Sequence, residues 1–100
     1  MSTPQKTFSL GQIVSTPGVL ADVPPGRMLD GIARHASGDW GTVCRADAAR
    51  NDAALVEGER IFSAYPIDPA KPAKGHGENV FWIITEADRS VTTFLLPEEY

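Results

Sequence analysis

Apolar and polar positions are patterned most sharply at the C-terminal end of the chain. Val80 to Glu86 and Val91 to Leu96 are dense in β-branched and aromatic residues, and the polar run Ala87-Asp88-Arg89-Ser90 separates them. This predicts two strands joined by a tight turn. Both alternating sets of Val80 to Ile84 are apolar, which predicts a central strand covered on both faces. Arg60 to Ile67, with Ile61, Phe62, Ala64 and Tyr65, predicts a third strand, so that the three form an antiparallel meander. Phe8 to Val14 alternates only in part and supplies at most a fourth strand.

Helical spacing governs the middle of the chain. Thr16-Pro17 pairs an N-cap hydroxyl with a proline suited to the first helical position. Pro24-Pro25 cuts that helix short, and Pro25 opens another in which Met28, Leu29, Ile32 and Ala33 recur at helical spacing up to Ser37-Gly38. Gly38-Asp39-Trp40-Gly41 reads as a turn with a large aromatic at its centre. Arg45 to Glu57 is rich in alanine and reads as a helix that stops at Gly58, a natural residue just past a helix end. Pro66 to Asn79 is a long proline- and glycine-rich loop, expected to be flexible. Residues 1–7 are polar and expected to be disordered. The expected fold is a single α+β domain over residues 8–100, with two main helices packed on a three- or four-stranded antiparallel sheet ending in a C-terminal β-hairpin.

Charge narrows the function classes. Nine Lys and Arg stand against thirteen Asp and Glu in 100 residues, a formal net charge of −4. Arg27, Arg34, Arg45, Arg50, Arg60 and Arg89 are scattered among acids with no basic run, which disfavours nucleic acid as a partner and leaves a protein partner as the expectation. The single cysteine, Cys44, excludes an intramolecular disulfide and a CxxC zinc pattern, and fits a reducing cytoplasm. The N-terminus shows no apolar stretch of a secretory signal, and no apolar run approaches the ~18–20 residues that span a bilayer. The expectations are a cytoplasmic protein away from membranes, monomeric or homodimeric, without cofactor or metal.

The chemistry-bearing residues are few. At the hairpin tip, Asp88 and Ser90 are turn formers, Glu86 and Arg89 are placed to pair across the turn, and Arg89 with Ser90 or Thr92 offers a small anion-contacting site. His35 is expected to finish its helix, where a partly charged imidazole suits the C-terminal dipole, and His76 falls in the long loop. The two histidines and Cys44 show no metal-ligand spacing. Cys44 is expected as a small apolar residue packed at a helix entry. Trp40 is either a core plug or an interaction anchor. Glu98 and Glu99, before Tyr100, form an acidic tail that can address a basic partner. Arg60 completes the candidate binding set.

The motifs GDWG (Gly38–Gly41), FSAY (Phe62–Tyr65) and WIITEADRSVTTFLLPEEY (Trp82–Tyr100) resemble a small uncharacterised family encoded on bacterial plasmids and integrative elements, some members of which carry a restriction-system subunit label. The resemblance covers most of the chain from Phe8, with Pro66–Asn79 as an insertion in a shorter hairpin. It implies a mobile-element setting. The chain is too short for a methyltransferase cofactor domain and has no glycine-rich βα motif. A second, architectural resemblance is to small microbial ribonucleases and ribonuclease toxins of the barnase-like group. In these a histidine follows the aspartate of the final hairpin and acts as general acid. Here that place is held by Arg89, a poor proton shuttle at neutral pH. The function expected first is therefore a non-enzymatic binding or regulatory accessory protein of a mobile element, one that modulates host defence or nucleic-acid processing. The second is a ribonuclease-like toxin that uses Arg60, Glu86, Arg89 and Ser90.

Overall fold

Two proline-led helices follow a first short strand, a third helix follows a glycine turn, and three strands complete the chain. The structure, a computed structural model, describes residues 8–100, and the terminus expected to be disordered lies outside them. The elements are β1 (Gln12–Ser15), α1 (Pro17–Asp22), α2 (Pro25–Ala36), α3 (Arg45–Glu57), β2 (Ile61–Pro66), β3 (Val80–Thr85) and β4 (Val91–Leu95), with a 3-10 turn at Pro97–Glu99. Helix entry and exit follow the local chemistry. Thr16 caps α1 by accepting from the Val19 amide, and Gly58 ends α3 in the left-handed region.

The sheet order is β1-β4-β3-β2, with β3 inside as its apolar pattern predicts. The hairpin β3–β4 and the pair β2–β3 are antiparallel, in register Ile83↔Phe94 and Ile83↔Ser63. The expected antiparallel sheet needs one correction: β1 runs parallel to β4, with Ile13↔Thr92. Short connections force antiparallel neighbours, but β1 is separated from β4 by most of the chain, and no turn sets its direction. Its direction is fixed by tertiary contacts. Glu99, just past β4, accepts from the Thr16 hydroxyl at 2.5 Å and from the Gly18 amide at 2.9 Å. That brings the C-terminal ends of β1 and β4 together, which requires a parallel pair.

A second correction concerns the helices. Val19 and Val23, from α1 and its end, pack with Tyr65, Phe81, Ile83, Phe94 and Leu96 on one face of the sheet, and Met28 and Ile32 of α2 close over them. Gly31 permits this closeness, since a Cβ there would stand 2.9 Å from the Phe81 ring. The alanine-rich α3 instead lies along the outer edge of β2. The Asn51 amide donates to the Phe62 carbonyl at 2.5 Å and accepts from the Phe62 amide at 3.0 Å. Two residues on, the Ala64 amide donates to the Trp40 carbonyl, and its carbonyl accepts from the Thr42 amide. Gly41 sits between them at φ 75, where a Cβ would strike the Ala64 carbonyl. Pro66, next outward, has no donor to satisfy. One edge of the sheet is thus sealed against pairing.

The loop over residues 67–79 is tied along its length. Asn79 donates to the carbonyls of Asp68, Lys71 and Pro72, Thr42 donates to the Lys74 carbonyl, and the Trp82 indole donates to the Gly75 carbonyl at 2.8 Å.

Candidate functional site

The candidate residues read from the sequence are placed in three different settings. Asp88 accepts from both the amide and the hydroxyl of Ser90, at 3.0 and 2.6 Å, forming an Asx turn. Those hydrogen bonds hold the exposed Asp88 carboxyl below its ordinary value, with the Ser90 hydroxyl contributing most. Arg89 follows in the left-handed region at φ 61, which aims its side chain back across the sheet edge. Its guanidinium donates to the main-chain carbonyls of Glu59 at 2.6 Å, Ala54 at 3.2 Å and Glu86 at 3.2 Å. Ala54, whose carbonyl also accepts from the Gly58 and Glu59 amides, is in the last turn of α3, and Glu59 lies just past its end, where a cation is favoured. Arg89 meets Glu86 through its carbonyl and lies 5.6 Å from the centre of the Phe8 ring. The hairpin tip is therefore a clamp on α3.

The other candidates divide between core and surface. Trp40 is 6 % exposed, and its indole donates to Asp52 at 3.0 Å. Glu99 caps the start of α1, and its carboxyl lies below the ordinary value, chiefly through the Thr16 hydroxyl. Glu98 is exposed and lines a shallow depression with Asp22 and Glu78. Arg60 reaches the helix-free face of the sheet. There it donates to the Tyr100 hydroxyl at 2.8 Å and lies 5.7 Å from that ring's centre.

Two sequence expectations about chemistry are overturned. His35 is wholly buried rather than at a solvated helix end, because α2 turns this position onto the sheet. Its Nδ1 lies 2.5 Å from the Ser63 hydroxyl, and its Nε2 lies 2.8 Å from that of Thr85. Thr85 and Thr92 hydroxyls are 2.7 Å apart, and Thr92 donates to the Leu10 carbonyl at 2.7 Å. The carbonyl can only accept, so the Thr92 proton points to it. Thr85 then donates to Thr92, His35 Nε2–H donates to Thr85, and Nδ1 accepts from Ser63. The chain of four side chains runs one way and fixes a neutral tautomer. Desolvation pushes the His35 pKa down to about 3. The Ser63–His35 pair has the geometry of a nucleophile and base but no access for a substrate. Cys44 is likewise not packed: it is the exposed N-cap of α3 with no side-chain capping bond.

Among the described residues, aromatic rings gather on the face of the sheet opposite α1 and α2. Strand alternation places Phe62, Trp82 and Ile84 there. The Phe62 and Trp82 rings meet edge to face at 4.9 Å, and Trp82 and Tyr100 at 5.7 Å. With Arg60 they line a cavity of about 190 Å³. The sequence motif named Trp82 and Phe62 as strand residues but carried no signal that they share the outer face. That depends on the register between β2 and β3.

Among the described residues, no group of three His, Cys, Asp or Glu is arranged to hold a metal, and no helix is long and apolar enough to cross a membrane. No protein-family model matches the chain, and searches of curated proteins and of solved structures found no match either.

Proposed function

We propose that this chain is a non-enzymatic binding protein whose recognition surface is the helix-free face of the sheet, and that it takes an extended, proline-containing segment of a partner protein. The observation that carries the proposal is the row Phe62–Trp82–Tyr100 flanked by Arg60 on that face. Aromatic-lined grooves suit extended proline-rich chains, which lose little conformational entropy on binding. The protein's own loop already uses this mode, because the Trp82 indole donates to the carbonyl of Gly75 within a proline- and glycine-rich segment. The net charge of −4 favours a polypeptide over a nucleic-acid strand on these rings. The proposed setting, an accessory protein of a mobile genetic element that modulates host defence or nucleic-acid processing, rests on the resemblance of the GDWG, FSAY and C-terminal motifs.

The ribonuclease reading is weighed down by the side chains it needs. Arg89 is engaged by carbonyls of α3 and the hairpin, and the buried His35 is neutral and out of reach of a substrate. The test is an NMR titration of labelled protein with an oligoproline peptide and, separately, with single-stranded RNA. The peptide should shift the Trp82 indole and Tyr100 signals, and Arg60→Ala and Tyr100→Ala should weaken that response. Cleavage of the RNA, or peptide binding indifferent to both substitutions, would sink the proposal.

A further inference from the structure

A four-stranded sheet of this width takes two helices on its covered face, and here only one full-length helix lies there. Gly31 of α2 packs on Phe81 and Ile83 of β3, and His35 bonds to Ser63 of β2 and Thr85 of β3. The 13-residue α3 is drawn off to the β2 edge. The six-residue α1 is too short to run beside α2 for its full length. Over β1 and β4 there remains a groove of about 330 Å³, with Ile13 and Phe94 as its floor and Pro25, Met28, Leu29 and Ile32 as its wall. Ile13 is 51 % exposed and Leu29 70 % exposed. Among the described residues no further helix remains to fill it.

We infer that a second copy of this chain fills the groove, with its α2 lying antiparallel beside the first α2 in a two-fold symmetric dimer. Helix α2 carries more apolar surface than its own core uses. Gly31 and His35 meet the sheet, while Leu29, Met28 and Ile32 continue the apolar arc onto the flank that faces the groove. The charged residues lie on the other flank and pair with one another, Arg27–Asp30 at 3.2 Å and Arg34–Asp30 at 4.0 Å. The same helix is thus both wall and filler, which is the self-complementarity an isologous interface needs. Area supports a pair of modest strength. Twelve residues of helix span about 18 Å, and helix plus groove are about 20 Å across. This gives about 360 Å² per copy and about 720 Å² in total, below the ~1,000 Å² of a stable specific interface, so the pair is a weak, transient one. A concentration-dependent dimer follows. It leaves the aromatic face of each copy free, since that face lies on the other side of the sheet.

Sedimentation velocity over a wide concentration range tests this, with Leu29→Asp, Ile13→Lys and, as a control on α3, Val56→Lys. All three positions are exposed, so at concentrations low enough for every protein to be monomeric the variants should keep the wild-type unfolding midpoint. The wild type and the control should associate, and each groove variant should weaken the dimer at least about tenfold, as expected for losing a buried aliphatic contact. Leu29→Cys in a Cys44→Ser background should cross-link to itself on mild oxidation. A wild type that stays monomeric throughout, leaving the groove to a helix of another protein, overturns the inference. So does a dimer that survives both groove substitutions.

Discussion

The buried histidine makes this protein lose stability in mild acid by an amount that can be worked out. His35 has a pKa of about 3 when folded, against 6.5 as a free side chain. A histidine with a lowered folded pKa is protonated more readily in the unfolded state. Its contribution is therefore fully present above about pH 6.5 and is lost progressively as pH falls toward the folded value. Within that window the slope approaches about 1.4 kcal/mol per pH unit. Between about pH 7 and pH 5 the loss is about 2 kcal/mol, a large part of the ~5–15 kcal/mol typical of a domain. The unfolding midpoint should fall by about 10 °C over the same interval. Carboxylates do not confuse the reading. Asp39, Asp88 and Glu99 have pKa values below their ordinary 3.8, 3.8 and 4.5, so their contributions are lost only at lower pH. The assay is urea unfolding at several pH values for the wild type and for His35→Gln, whose amide can donate to Thr85 and accept from Ser63 without titrating. The variant should be less stable at neutral pH, because its side chain fills less of the site, but its stability should be nearly flat from pH 7 to pH 5. Equal slopes for the two proteins would refute the buried-neutral assignment.

Three further outcomes follow from the same contacts. The one-way hydrogen-bond chain requires the Nε2–H tautomer, so a slowly exchanging imidazole proton on Nε2, with Nδ1 unprotonated, should be visible by nitrogen-15 NMR at neutral pH. Arg89→Ala removes a cation from the end of α3 and should cost about 1–2 kcal/mol in urea unfolding, the range for a partly exposed charge-assisted contact. An unchanged stability would remove the clamp from the hairpin's role. Asn51→Leu strips both bonds from Phe62 and should cost about 1–3 kcal/mol for the unsatisfied main chain. It should also raise concentration-dependent aggregation, measured by light scattering, because it unseals the β2 edge.

What was legible in the sequence was what local chemistry decides. Thr16-Pro17, Pro25 and Gly58 mark helix ends through capping and fixed φ, and the strands over Ile61–Pro66, Val80–Thr85 and Val91–Leu95 follow the β-branched runs within a residue or two. What was not legible depends on which residues meet across long separations. The direction of β1 is set by Glu99, more than eighty positions away. His35 belongs on the sheet because Gly31, one turn earlier, lets α2 come close to Phe81. Arg89 reads from the sequence as a partner of Glu86 across the turn or an anion contact, yet it donates to the carbonyls of Ala54 in α3 and Glu59 just past it, with the turn at φ 61. The aromatic face was hidden for the same reason, since Phe62, Trp82 and Tyr100 come together only through the β2–β3 register and the C-terminal turn.

The distribution of polarity between the two faces of the sheet bears on function more than any single residue. On the helix-covered side the sheet carries Tyr65, Phe81, Ile83 and Phe94 together with Ser63, Thr85 and Thr92, the three hydroxyls being inaccessible to water and satisfied through His35 or a main-chain carbonyl. On the helix-free side it carries Phe62, Trp82 and Ile84, with Tyr100 69 % exposed beside them. Stability alone would leave no aromatic ring open to solvent, because apolar area left exposed contributes nothing. A row of rings kept half open on a sheet face beside Arg60 is what an extended ligand needs and what a stable core does not. Those partly open rings support the binding reading, and they predict where the gain lies. Covering the face, by ligand or by substitution of Tyr100 with a residue that closes the cavity, should raise the unfolding midpoint. Substituting Tyr100 in that way should also abolish peptide binding.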